Sequence, residues 1–143
     1  MAKFVRTDNC AFTKVPSLLK SAKFMGGDGA TATAIENGEL VAIRALMDGE
    51  REVHVAVTPT ETDTVIGVVC TPEVEYDEKG YHDLDTFTNK VGEVIRVGIL
   101  QKADIYSVGN DTNTADIKAG VVTAKHIATE KAGRFTYQVY EVQ

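Results

Sequence analysis

Glu36-Asn37-Gly38-Glu39-Leu40-Val41-Ala42-Ile43-Arg44-Ala45-Leu46-Met47-Asp48-Gly49-Glu50-Arg51-Glu52-Val53-His54-Val55-Ala56-Val57-Thr58-Pro59-Thr60 sets the architecture of this chain. Two strand-like runs flank Asp48-Gly49. An Asp-Gly pair between apolar runs is the strongest short-range hairpin signal a sequence carries. The second run, residues 51–57, alternates strictly, with Val53, Val55 and Val57 on one face and Glu52, His54 and Ala56 on the other. A period of two describes a half-buried strand.

The pattern recurs outward from this hairpin. Residues 64–71 are nearly all apolar and β-branched (Val65, Ile66, Val68, Val69), the composition of a strand buried on both faces. Residues 92–100, 103–108, 120–127 and 134–142 read as further strands, and in the last Phe135, Tyr137 and Val139 share a face. Turn clusters at 59–63, 77–80, 109–113 and 131–133 separate them. About seven short strands and no long amphipathic helix predict an all-β (mainly β) chain, a single compact β-barrel or β-sandwich. Residues 83–89 fit one helical turn, and 109–114 read as a mobile loop tip.

Residues 1–34 read differently. Leu18, Leu19, Ala22 and Met25 recur at helical spacing, which predicts a short helix over 17–25. Gly26-Gly27-Asp28-Gly29 is turn-prone and reads as a hinge. The expected organisation is an N-terminal extended arm, residues 1–34, on a β body, residues 35–143. An arm with Phe4, Phe12 and Phe24 is too apolar to stay free in water. It must pack on its own body, on a neighbouring copy or on another protein.

Charge divides the chain in the same place. Residues 1–25 hold Lys3, Arg6, Lys14, Lys20 and Lys23 against Asp8, a net +4, so the rest carries −10 of the overall −6. A basic segment on an acidic body is an interaction signature. An acidic surface repels phosphate, so direct nucleic-acid binding is not expected. No apolar run approaches the ~18 residues of a membrane span, and no apolar leader precedes residue 25. Cys10 and Cys70 have no CxxC spacing and suit a reducing compartment, with no disulfide expected.

Few residues are arranged for chemistry. Glu73, Glu75, Asp77, Glu78, His82, Asp83 and Asp85 could together bind a cation or supply an acid/base pair. Their spacing matches no EF-hand loop and no H-E-x-x-H pattern, and acidic turns are usually solvated. Ser107, His126 and Asp104 can be named as a triad, but Ser107 lacks a G-x-S-x-G elbow. His54 reads as a surface or interface side chain. The glycine cluster has no Gly-Lys-Ser/Thr and is no phosphate loop. No catalytic residue, cofactor or metal is expected.

Three stretches carry a family resemblance. They are Glu36-Asn37-Gly38-Glu39-Leu40-Val41 with residues 48–53 and 56–60; Thr71-Pro72-Glu73-Val74-Glu75-Tyr76-Asp77-Glu78; and Asp85-Thr86-Phe87-Thr88-Asn89-Lys90-Val91-Gly92-Glu93-Val94-Ile95-Arg96 with Leu100-Gln101-Lys102-Ala103-Asp104-Ile105-Tyr106-Ser107-Val108. Over residues 36–108 the chain resembles head-associated structural proteins of tailed bacteriophages of Gram-positive bacteria. The resemblance implies a capsid decoration (cement) protein on the outside of the virion, made in the host cytoplasm. Its partner would be the major capsid protein, bridged across neighbouring subunits. Family analogy implies a homo-oligomer, with a trimer as the expected form. A head-fibre or host-adhesion base, with its binding surface at residues 110–113, and a tail or head–tail connector subunit are the alternatives. A small metal-dependent enzyme centred on residues 77–85 is the alternative of a different class. The arm, residues 1–25, is the expected capsid contact, with Phe4 and Phe12 as buried anchors and Lys3, Arg6 and Lys14 steering onto an acidic shell.

Overall fold

Alternating apolar residues build ten strands and two 3-10 turns among the described residues. The computed structural model describes residues 3–27, 29, 31–49, 51–71, 89–133 and 135–143. In chain order these are β1 (Phe4–Asn9), the turns Ala11–Thr13 and Pro16–Leu18, β2 (Leu19–Phe24), β3 (Leu40–Leu46), β4 (Val53–Val57), β5 (Ile66–Val69), β6 (Val94–Ile99), β7 (Ile105–Gly109), β8 (Ile117–Ala119), β9 (Val122–Ala132) and β10 (Phe135–Val142). The fold is all-β. Strands β2-β4-β3-β5-β6 close into a barrel, and β1-β7-β10-β9-β8 form a five-stranded sheet. Every pair is antiparallel except β2 with β4, which run parallel.

The hairpin forms as its sequence dictates. Gly49 takes φ +80° at the turn, and Ala42 and Ile43 face Val57 and Ala56. The ladder is irregular between Ile43 and Leu46, where His54 Nδ1 lies 2.9 Å from Arg44 O.

The barrel interior is filled by Ala22, Val41, Ala56, Val69, Ile95 and Val97. A second core lies between barrel and sheet, where Val68 meets Phe12, Leu100, Tyr106, Val108, Ala124, Tyr140 and Val142. A third joins Ala42, Val57 and Ile66 to Ala119 of β8. The barrel is thus buried inside by its own side chains and outside by the sheet, which corrects the expectation that β4 is buried on one face only. Ala56 packs inside the barrel and Val57 outside it, under β8, and both are fully buried. The four residues of β5 are buried on both faces, as their composition predicts.

The N-terminal segment is not an arm. β1 pairs with β7, with Phe4 opposite Gly109, and β2 closes the barrel between β4 and β6. Residues 19–24, expected as part of a helix, are this strand. Hydrogen-bonded neighbours on both sides outweigh a weak helical spacing. Phe12 sits over Gly98 and Phe4 over Gly109. A Cβ at either glycine would fall on the ring, so these glycines exist to seat the two phenylalanines. The body therefore begins at β1, and the boundary expected at residue 34 has no counterpart in the pairing.

Two more expectations change. The loop after β7 is tied down, since Asp111 is buried and its main-chain carbonyl accepts from Gln138 Nε2 at 3.3 Å. The helical turn expected at 83–89 lies outside the described residues except for Asn89, which bridges to Ile35.

Candidate interaction site

Lys3 immediately precedes β1 and lies beside the segment leading into β3. Its Nζ donates to Glu39 Oε1 at 2.9 Å and lies 4.0 Å from Asp111 Oδ1. Burial works against its charge. The hydrogen bond and the negative charge of Glu39, with Asp111 and Glu36 behind it, win and raise the lysine above its ordinary value. Asp111 is fixed in turn: Oδ2 accepts from the Tyr140 hydroxyl at 2.8 Å and Oδ1 from Asn113 N at 3.1 Å. Burial, then the Asp111 hydrogen bond, push the Tyr140 hydroxyl up to about 12. Next along β10, Gln138 Oε1 accepts from Thr129 Oγ1 and lies against His126 Nε2, each at 2.7 Å. A bulge at Ile127 puts His126 and Thr129 on one face of β9 so that both reach Gln138. Lys3, Glu39, Asp111 and Asn113 line an open cleft of about 320 Å³ between barrel and sheet. Most of these polar atoms are engaged with each other, so the cleft fastens β1, the β3 approach and the loop after β7 together.

The expected contact residues separate into two kinds. Phe4 and Phe12 are 2% and 1% exposed inside this chain's own core. Phe4 meets Phe135 and Tyr137 edge-on, with ring centroids 4.9 and 5.5 Å apart. They cannot act as anchors for another protein while the fold is intact, because extracting either ring would empty a glycine-floored seat. Lys3 is committed to Glu39. Arg6 is exposed, with its guanidinium carbon 4.9 Å from the centre of the Tyr137 ring. Lys14 is exposed, beside the second 3-10 turn.

Ser107, His126 and Asp104, discounted as a triad on sequence, lie apart. Asp104 caps two backbone N–H groups, those of Ala11 at 3.1 Å and Gln101 at 2.8 Å. His126 faces Gln138, and Ser107 lies across the sheet beside Arg6 and Glu130. Among the described residues, no group of three His, Cys, Asp or Glu side chains could hold a metal ion. The acidic segment at 73–85 lies outside the described residues.

Sequence reasoning missed a second concave surface. The turn Pro16–Leu18, the start of β2 and the β3–β4 hairpin enclose a groove of about 380 Å³, lined by Pro16, Leu19, Lys20, Leu46, Arg51, Glu52 and His54, with two serines. The parallel pairing of Ser21 with Val53 brings these segments together. No local pattern announces a contact between residues about 30 positions apart, so no sequence signal could have found it. The cations Lys20 and Arg51 make no ion pair among the described residues.

Comparison with protein-family models, curated proteins and solved structures found no match.

Proposed function

We propose that this chain is a virion structural protein, a capsid decoration (cement) protein that binds the outside of a tailed-phage head and bridges major capsid protein subunits. The observation that carries this reading is the resemblance over residues 36–108, which supplies β3 to β7 and so most of the barrel. The fold is compatible with the role. A cement protein needs a stiff body whose surface repeats with the shell, and symmetry turns modest contacts into avid attachment. A closed barrel leaves no open strand edge within itself, and here one side of it is covered by a sheet. With Phe4 and Phe12 buried, the attachment surface lies on the exposed cations and apolar side chains rather than on a free arm.

The test is reconstitution. Purified protein is added to heads that lack it, the heads are sedimented, and their resistance to heat or osmotic shock is measured. Co-sedimentation at a fixed ratio to the major capsid protein, with heads that withstand more stress, is the expected outcome. Protein left in the supernatant, or heads no more resistant with it than without it, would contradict the reading.

A further inference from the structure

We propose that the groove between the turn Pro16–Leu18 and the β3–β4 hairpin docks an extended, acidic protein segment that also carries apolar side chains. The inference rests on the shell-binding reading and names its contact surface. Three observations coincide there. Lys20 and Arg51 line the groove together with Glu52, and neither cation makes an ion pair among the described residues, on a chain whose net charge is −6. Leu46, which lines the groove, and Val15, next to Pro16, are 46% and 43% exposed. The surface is concave, bounded by a hairpin on one side and a proline-initiated turn on the other.

Each observation narrows the occupant. Unpaired cations beside exposed aliphatics favour a partner that brings carboxylates and apolar groups together. Nucleic acid would satisfy the cations but would leave Leu46 and Val15 wet. A second copy of this chain is the competing occupant, and the test separates it through self-association. An extended segment of another protein can lay carboxylates and apolar side chains along one groove.

The probe is a synthetic peptide alternating Glu with Val, titrated against the full chain and followed by fluorescence anisotropy. A DNA oligonucleotide of equal charge runs in parallel. The expected result is peptide binding that weakens with salt and falls about tenfold or more in the double variant Lys20→Glu, Arg51→Glu. The neutral double variant Lys20→Gln, Arg51→Gln should fall between, and Leu46→Ser should weaken binding without changing its salt dependence. Circular dichroism confirms that each variant is folded. Absence of peptide binding, equal binding by the charge-reversed variant, tighter binding of the oligonucleotide, or a variant that loses self-association instead would each overturn the proposal. Heads that take up the charge-reversed variant as well as the wild type would overturn the groove while leaving decoration intact. Peptide binding by a chain that heads do not retain would count against decoration alone.

Discussion

Tyr106 and Tyr140 stack in one core with centroids 5.4 Å apart, yet their hydroxyls meet different fates. Tyr140 donates to Asp111, whereas the buried Tyr106 hydroxyl has no partner among the described residues, and burial drives its ionisation far above the ordinary tyrosine value. A buried hydroxyl without a partner costs desolvation energy, whereas a satisfied one next to a buried carboxylate stabilises it. Tyr140→Phe should therefore destabilise by about 1–3 kcal/mol and Tyr106→Phe should be neutral or stabilising, measured by denaturant unfolding. The glycine seats make a second test. Gly98→Ala has no room beneath the Phe12 ring and should cost about 1–3 kcal/mol in the same assay. Asp63 gives a pH dependence. Its Oδ2 accepts from Thr60 N at 2.8 Å, from Thr60 Oγ1 at 3.0 Å and from Arg44 at 3.3 Å. The Thr60 backbone bond leads in holding its carboxyl below the ordinary value of 3.8. A depressed folded value means stabilisation that is complete above 3.8 and lost as pH falls through the lower folded value. Wild type should lose stability across that window more steeply than Asp63→Asn, as followed by melts at successive pH values. The Thr60–Asp63 bonds are local and fall in a turn the sequence marks, whereas the Tyr140–Asp111, Phe12–Gly98 and Arg44–Asp63 contacts join residues remote in sequence and were not legible beforehand.

At the scale of elements, legibility followed periodicity. The hairpin, β5, β6, β7 and β10 fall where the sequence places them, because alternation and turn residues are local signals, whereas β1 was read as part of an arm and β9 runs five residues past its expected end at 127. β2 did not, because Leu-Lys-Ser-Ala-Lys-Phe carries no β-branched residue and its neighbours Leu18 and Met25 complete a helical spacing. β8 has only three residues, too few to show a period. The burial of both faces of β4 at Ala56 and Val57 has one cause: in a barrel covered by a sheet, the outside is also core, and small Ala56 is what fits within. The basic character of residues 1–25 was legible, but its placement was not. Phe4 and Phe12 gave the same signal whether they pack on this body or on a neighbour, and only Gly98 and Gly109, about a hundred residues away, decide between them. Deleting residues 2–24 should therefore abolish folding rather than trim an appendage, since it removes β1 and one stave of the barrel. Loss of the β-sheet circular dichroism signal and of cooperative melting is expected. A deletion protein that still melts cooperatively near the wild-type temperature would contradict the integrated fold.

At the scale of the whole molecule, an acidic chain carries a partly apolar groove in which Lys20 and Arg51 stand with Glu52 and Leu46. The barrel holds that groove rigid, because β2 and β4 are paired and β2 is closed again onto β6. The polar cleft around Lys3 and Asp111 secures the sheet and leaves the loop at residues 110–113 anchored, which speaks against those residues as a free adhesive tip. Attachment through a fixed concave surface suits a protein laid on a repeating lattice, where orientation is shared by every copy. The most direct measurement is an electron cryomicroscopy map of purified phage heads. The expected result is density for this barrel and sheet on the outer shell at symmetry-related positions, with the groove at Lys20, Leu46 and Arg51 turned toward the capsid protein. Heads whose outer surface carries no such density, in particles shown by mass spectrometry to lack the chain, would contradict the account.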